Sequence, residues 1–333
     1  MPAAPSPGAL MAREAAEAPA AFARASCQTV PPPEGAFRAL HTLARGSSDA
    51  AATVLAYEAM RETGLPCTSL PPSVFSLGRG LRLADTLVLA LSQSGASEDL
   101  VLSARGARAG GARVVALTNV DGSPLEREAD LRLPLLAGEE HAIPATKSVV
   151  AAIGAGTALI GALAPAYAPR ARAAAEAVRR AEGRVLPGAA RLVDALAGAR
   201  SVYVLGRDTG YGAAQETALK IKECCALHAE AHSAAEVLHG PLQLAAGGLT
   251  ALLLETGAPG TAGSLRIAAE RLTQEGAAVH RLSPDAIGAG GLTPAAAAAL
   301  LLCLLYPVIR EAALARGQDP DAPRALSKVT RTV

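Results

Sequence analysis

The chain has no tryptophan, and its 333 residues include only five tyrosines and three phenylalanines. So few rings leave no platform on which nucleobases could stack. Charge is also sparse: 31 basic and 30 acidic residues give a formal net charge of +1, which supplies no electrostatic footprint for nucleic acid. The five cysteines, Cys27, Cys67, Cys224, Cys225 and Cys303, are odd in number and form no CxxC pair, so they read as free thiols of a cytoplasmic protein. The opening MPAAPSPGAL lacks a basic stretch followed by a continuous apolar one, and reads as a frayed tail rather than a secretory signal. Uncharged runs are few. Val149 to Ala164 is only 16 residues long and is cut by Gly154, Gly156 and Gly161, short of the roughly 20 that a span requires. Gly288 to Ile309 is longer, but its start is Gly-rich and Pro294 and Pro307 bracket its helical part. Both read as buried core helices, and no membrane partner is expected.

What is present in quantity is alanine. Half of the residues are apolar, and with so few aromatics the core is expected to consist of Ala, Leu and Val, as where helices pack closely over a sheet. The length suits roughly two domains. Strand-like and helix-like runs alternate: strands at 39–45 and 85–93, with helices at 48–62 and 98–109, then strands at 112–119 and 130–136 and a helix from Thr146. After an Ala/Arg-rich segment, Arg170 to Leu196, read as one long connecting helix, the pattern restarts. It gives strands at 201–206, 249–255 and 278–283 and helices from about Tyr211, from Ser264 and up to Ala315. The two halves superimpose at a shift of about 162 residues in strand, polar turn and helix, which reads as a duplicated unit. The expected class is α/β, with parallel sheets flanked by helices. The expected organisation is a tail and helix over 1–34, a first unit over 35–165, a connecting helix over 166–197, a second unit over 198–316 and a C-terminal segment over 317–333.

In such sheets ligands gather at the carboxyl ends of the strands. Two turns there are unusual. LSQSGAS after the apolar strand LVLALS places Ser92, Gln93, Ser94 and Ser97 at the start of a helix, where unpaired N–H groups and the helix dipole favour an anion. ARGSSD after the first strand adds Gly46, Ser47 and Ser48. Either could be an ordinary N-cap turn, and neither has the spacing of a nucleotide P-loop. A third feature is the block from Ala213 to Leu244, which holds three of the six histidines and four glutamates. Glu216, Lys220 and Glu223 fall at i, i+4 and i+7, so on a helix they share one face and set a carboxylate beside an ammonium. The helix is expected to break through HAEAH into a short helical piece ending at Leu238, with His239 in the turn beyond it. HAEAH is not HExxH and the histidine spacing matches no common zinc pattern, so no metal is expected. Taken singly, Glu223 with Lys220 reads as an ordinary surface pair, His239 as a cap, and Lys328 as a solvated lysine.

Together these motifs resemble a known family. LAGEEHAIPATKS (136–148), ALKIKE…HAEAHSAAEVLHGP and the tail DAPRALSKVTRTV (321–333), in order with MAREAAEAP, ARGSSD and LSQSGAS, are similar to the sugar isomerase (SIS) family. They resemble the isomerase half of glucosamine-6-phosphate synthase and, more closely, the stand-alone SIS-type glucosamine-6-phosphate deaminases. The resemblance implies two tandem SIS domains, each flavodoxin-like, with the C-terminal segment as an active-site tail. It implies that Ser47, Ser48, Ser92, Gln93, Ser94 and Ser97 hold a sugar 6-phosphate, with Gly46, Ile143 and Ala145 near the sugar. By the same resemblance Glu223 moves a proton between C1 and C2. His239 assists ring opening in the neighbouring subunit of a homodimer, and Lys328 lies near the carbonyl carbon, where it can form a Schiff base with a ketose. No cofactor is implied. Of the seven His and Glu residues in the block, Glu223 and His239 are the expected site residues and the rest scaffold.

The chemistry suits these residue types. One carboxylate can serve both carbons of an open-chain sugar, and histidine titrates in the range that ring opening needs. The expected reaction is glucosamine 6-phosphate and water to fructose 6-phosphate and ammonia. The alternatives are an isomerase or deglycase for another amino or fructosyl-amine sugar phosphate, a glutamine-independent relative of the glutamine–fructose-6-phosphate aminotransferases, and a non-catalytic phosphosugar sensor. The sequence departs from the synthase in having no expected glutaminase domain and no cysteine at position 2. Ala145 also stands in place of a serine, and Asp208 follows Arg207 in place of a glycine.

Overall fold

The structure is a computed structural model and describes residues 6–328. The first four and last five residues of the expected terminal segments, with residue 5, lie outside the described residues. The chain opens with helix α1 (Ala9–Ser26), followed by β1 (Ala39–Leu43), α2 (Gly46–Thr63), β2 (Cys67–Ser69), the short α3 (Ser73–Ser76), β3 (Thr86–Ser92), α4 (Glu98–Ala109), β4 (Arg113–Thr118), the short α5 (Pro124–Arg127), β5 (Leu131–Pro134) and α6 (Lys147–Leu163). Helices α7 (Ala168–Arg180) and α8 (Ala189–Gly198) lead to β6 (Val202–Gly206), α9 (Thr209–Cys225), β7 (Ala229–Ser233), β8 (Thr250–Leu254), α10 (Ala262–Gln274), β9 (Ala278–Leu282) and α11 (Pro294–Ala315).

The strands form two parallel sheets, ordered β2-β1-β3-β4-β5 and β7-β6-β8-β9. The first has the flavodoxin-like order, in which the chain reverses direction across the sheet between β1 and β3 and leaves a crevice at their carboxyl ends. Every residue of the central strand β3 is buried, as expected of a strand covered on both faces. Helix α4 carries its signals in sequence: Ser97 at the N-cap, Glu98 and Asp99 in the first turn, Arg108 in the last and Gly110 at the end. The largest core cluster lies between the two sheets, where α1, α2, α6, α9 and α11 pack Ala, Leu and Val against each other. Helix α11 is the one helix among the described residues long and apolar enough to cross a membrane, and it is mostly buried in this core.

Three expectations are corrected. Arg170 to Leu196 is not one helix: Gly183 and Gly188 at positive φ, with Pro187 between them, separate α7 from α8. HAEAH is not merely a break between two helical pieces but, from Ala229 on, part of a strand, and the short helical piece expected to end at Leu238 comes after it and ends one residue later, at His239. Helix α9 stops at Ala226 in the left-handed region, and Ala229–Ser233 pairs with β6 as an edge strand, its Ala and polar residues alternating with period two. A 3₁₀ turn, Glu236–His239, follows. Part of the stretch read as a frayed tail is also ordered, because α1 begins at Ala9 with its first N–H groups satisfied from far along the chain. Asp321 accepts from Leu10 N at 2.9 Å and Met11 N at 2.7 Å.

Helices α2 and α9 cross closely and run in opposite directions. A Cβ on Gly212 would lie 2.7 Å from Val54 N and 2.8 Å from Ala50 O, so glycine is what lets the backbones meet. This crossing brings the end of α9 to the start of α2. Gly212→Ala is expected to destabilise the chain by about 1–3 kcal/mol through overpacking, read from urea denaturation; an unchanged midpoint would contradict so tight a crossing.

Candidate active site

At the carboxyl ends of β1 and β3 the chain encloses a cavity of about 340 Å³, a size suited to a small ligand. The turn after β1 contributes Gly46, Ser47 and Ser48, and the turn after β3 contributes Ser92, Gln93, Ser94 and Ser97. Ile143 and Ala145 enter from the loop before α6, Glu223 from the last turn of α9 and Lys328 from the C-terminal segment. Of the expected site residues only His239 is elsewhere. It stands exposed at the end of the 3₁₀ turn in the second unit and does not line this cavity.

The two serine turns are built to leave donors available. Gly46 opens α2 at φ 54 and Gly95 sits at φ 61. A Cβ on Gly95 would lie 2.3 Å from the buried Ser123 Oγ, so the turn after β3 can close only without a side chain there. Gly95 N donates to Ser92 Oγ at 3.1 Å and Ala96 N to Ser94 Oγ at 3.3 Å. Ser97 occupies the N-cap of α4 without a side-chain capping bond. The first turns of α2 and α4 therefore converge on one cavity, where their N–H groups and dipoles favour an anion. Arg45 and Asp99 join the two turns through an ion pair at 2.9 Å.

Opposite this cradle is a charged network. Lys220 Nζ, with its side chain fully buried, donates to Ser47 Oγ at 2.9 Å and to Glu223 Oε2 at 2.5 Å and lies 3.4 Å from Glu216 Oε1. Tyr306 OH donates to Glu216 Oε1 at 3.2 Å. Burial alone would lower the Lys220 pKa, but Glu216 and Glu223 outweigh it and hold the ammonium charged. Burial pushes Glu216 up to about 7 in spite of Lys220. Glu223 and Lys220 are thus not a surface pair. The helical spacing set these three side chains on one face, while the tie from Lys220 to Ser47 in the first unit was not foreseen, because it depends on how α9 crosses α2.

Sequence reasoning also missed Glu140. Fully buried, it accepts from Lys328 Nζ at 3.2 Å, and Lys328 donates a second bond to Ala142 O at 2.6 Å. The acidic pair in LAGEEHAIPATKS was its only signal. Among the described residues no three His, Cys, Asp or Glu side chains gather as metal ligands.

A family model described as the SIS domain matches residues 38–162 and 195–283. The glutamine–fructose-6-phosphate aminotransferase of Symbiobacterium thermophilum is 34% identical over 88% of this chain, and that of Aeropyrum pernix 35% identical over 73%. The chain spans only 51% and 43% of the lengths of these two proteins. Among solved structures, a candidate phosphosugar isomerase from Silicibacter pomeroyi is 34% identical with a TM-score of 0.80, over 94% of this chain and 99% of that one. Glucosamine-6-phosphate deaminase from Thermotoga maritima shares the fold at 19% identity and a TM-score of 0.77, over 97% of this chain and 100% of that one.

The raised Glu216 pKa fixes a sign. The folded chain keeps this proton to a higher pH than the unfolded chain, so the stability it contributes is complete below the ordinary glutamate range and is lost as pH rises through about 7. Glu216→Gln should therefore gain on the parent chain in thermal melts taken from about pH 5 to about pH 8. A Tm difference constant across that range would refute the assignment.

Proposed function

The chain belongs to the SIS domain family, and from that premise we propose that it is a phosphosugar aldose–ketose isomerase of the deaminating kind, converting glucosamine 6-phosphate and water to fructose 6-phosphate and ammonia. The observation that carries this reading is a single cavity with an anion cradle on one side and the Glu223 carboxylate on the other. The 6-phosphate occupies the serine turns, and the open chain extends toward Glu223. The carboxylate takes the C2 proton of the aldose, leaving an enolamine, and returns it to C1. The resulting C2 imine adds water and releases ammonia as the ketone forms. Lys220 holds Glu223 in place from behind, at 2.5 Å, and prevents it from swinging into solvent. Lys328 supplies a cation at the sugar's carbonyl end.

Ring opening falls to His239. Because it lies outside the cavity of its own chain, the proposal includes a homodimer in which each chain lends His239 to the other's site.

A second hollow of about 720 Å³ shares Glu223 and Leu326 with the first and is lined by Leu219, Lys222 and Arg324. It gives room for a substituent on the substrate nitrogen, and so favours, as the second reading, a deglycase acting on an N-substituted sugar phosphate. Comparing kcat/KM for glucosamine 6-phosphate with that for fructosyl-amine 6-phosphates separates the two.

The direct assay is release of ammonia and fructose 6-phosphate from glucosamine 6-phosphate. Glu223→Gln should lower kcat by about 10²- to 10⁴-fold, the usual contribution of general acid–base catalysis. Full activity in that variant would sink the mechanism, and tight phosphosugar binding without turnover by the parent chain would make it a sensor.

A further inference from the structure

The reaction above gives Glu140 no part, yet four hydrogen-bond donors converge on this buried carboxylate. Oε1 accepts from Thr146 N at 2.9 Å and Ser148 N at 3.1 Å, and Oε2 accepts from Ser148 Oγ at 2.6 Å and Lys328 Nζ at 3.2 Å. Thr146 and Ser148 lie at the start of α6, so the carboxylate occupies the positive end of a 17-residue helix. Burial raises the pKa of Glu140, but Lys328, Ser148 and Thr146 more than offset it, and the net direction is down. An anion is thus built into the wall beside the cavity, fixed on three sides by α6, and its fourth contact is the side chain that the C-terminal segment brings to the site.

That segment lines the cavity with Leu326, Ser327 and Lys328. Leu326 is 43% exposed, and Pro323 through Leu326 run over the surface between the two hollows. Upstream, the segment is tied to the body at Asp321, whose carbonyl accepts from Ile143 N at 3.0 Å. Downstream, Lys328 is held by Glu140 and by Ala142 O. Both ties land on the loop that presents Ile143 and Ala145 to the cavity.

We propose that Glu140 is the positioning residue for Lys328: it seats the ammonium at the edge of the cavity and so closes the C-terminal segment over the sugar. Glu140 does not line the cavity, so it acts through Lys328 and not on the substrate. The kinetic part rests on the phosphosugar reading above; the seating of the segment does not.

Two measurements on the full chain test this separately. Glu140→Gln keeps the size of the side chain and an oxygen for the Thr146 and Ser148 N–H groups, but removes the charge facing Lys328. Hydrogen exchange over residues 321–328, without substrate, should become several-fold faster in Glu140→Gln and in Lys328→Ala, with α6 protected as in the parent. Glu140→Asp, which keeps the charge, should restore part of the protection. In kinetics, Glu140→Gln should lower kcat about tenfold or more with KM within about threefold, and adding it to Lys328→Ala should lower kcat no further. Exchange in Glu140→Gln equal to the parent overturns the proposal. Effects that multiply in the double variant also overturn it, because they would make Glu140 a prop for α6 alone. If α6 exchange rises with that of the segment in Glu140→Gln, the Glu140→Asp chain decides: unrestored protection with α6 intact overturns the proposal. A parent chain without turnover would defeat the functional reading while leaving the exchange result to decide the seating.

Discussion

The ammonium of Lys220 sits in the interior with no exposed surface, and its partners come from both halves of the chain: Ser47 from the first turn of α2, Glu216 and Glu223 from α9. An unpaired cation there would cost several kcal/mol. The site therefore exists only when α9 crosses α2 at the one depth that brings these groups together, and Gly212 permits that depth. Glu223 gains its orientation from the same arrangement. It is 20% exposed, open enough to reach a substrate, while Lys220 holds it from the buried side.

The duplication supplies this geometry twice and uses it differently each time. The end of α9 reaches the turn after β1, and reciprocally the end of α2 reaches the turn after β6, where Arg61 pairs with Asp208. In the first case the pairing leaves a cavity beside it. In the second the two side chains meet directly. Asp208 takes a positive φ, accepts from Thr209 N at 2.6 Å and meets the Arg61 guanidinium, and Thr209 and Thr256 close the turn with a hydroxyl bond at 2.9 Å. A non-glycine residue in that conformation is strained, and its two polar contacts offset the strain. The carboxyl ends of the first sheet border a cavity, while at those of the second sheet Arg61 and Asp208 tie the two halves of the chain together.

Much of this was legible in sequence because it is local. The apolar strand LVLALS followed by hydroxyl-rich residues and a helix start needs no tertiary information to read, and eleven of the twelve expected site residues line one cavity. What was not legible depends on crossings between distant segments. Nothing near Lys220 announces that its partner is Ser47, and nothing near Glu140 announces Lys328, 188 residues away. The strand at Ala229–Ser233 was missed because its five residues, of Ala, Glu, His and Ser, carry little β propensity, and only pairing with β6 makes them a strand. Strand β2 is too short, at three residues, to show a period-two pattern, and only its pairing with β1 marks it.

The two ends of the described chain belong to the site as much as its middle does. Glu14 on α1 accepts from His141 N at 2.5 Å and Ala142 N at 3.2 Å, gripping the loop before α6 from one side, and Lys147 reaches Glu17 on the same helix at 2.5 Å. Asp321 grips the loop from the other side through Ile143 N, and its carboxylate also caps the start of α1. Helix, loop and C-terminal segment therefore form a closed ring of hydrogen bonds around Ile143 and Ala145. A loop of 138–146, with no regular structure of its own, would otherwise be free to move on the time scale of surface loops. The ring holds it as a wall of the cavity, and it is how a helix at the start of the chain, far in sequence from the serine turns and Glu223, bears on the cavity's shape.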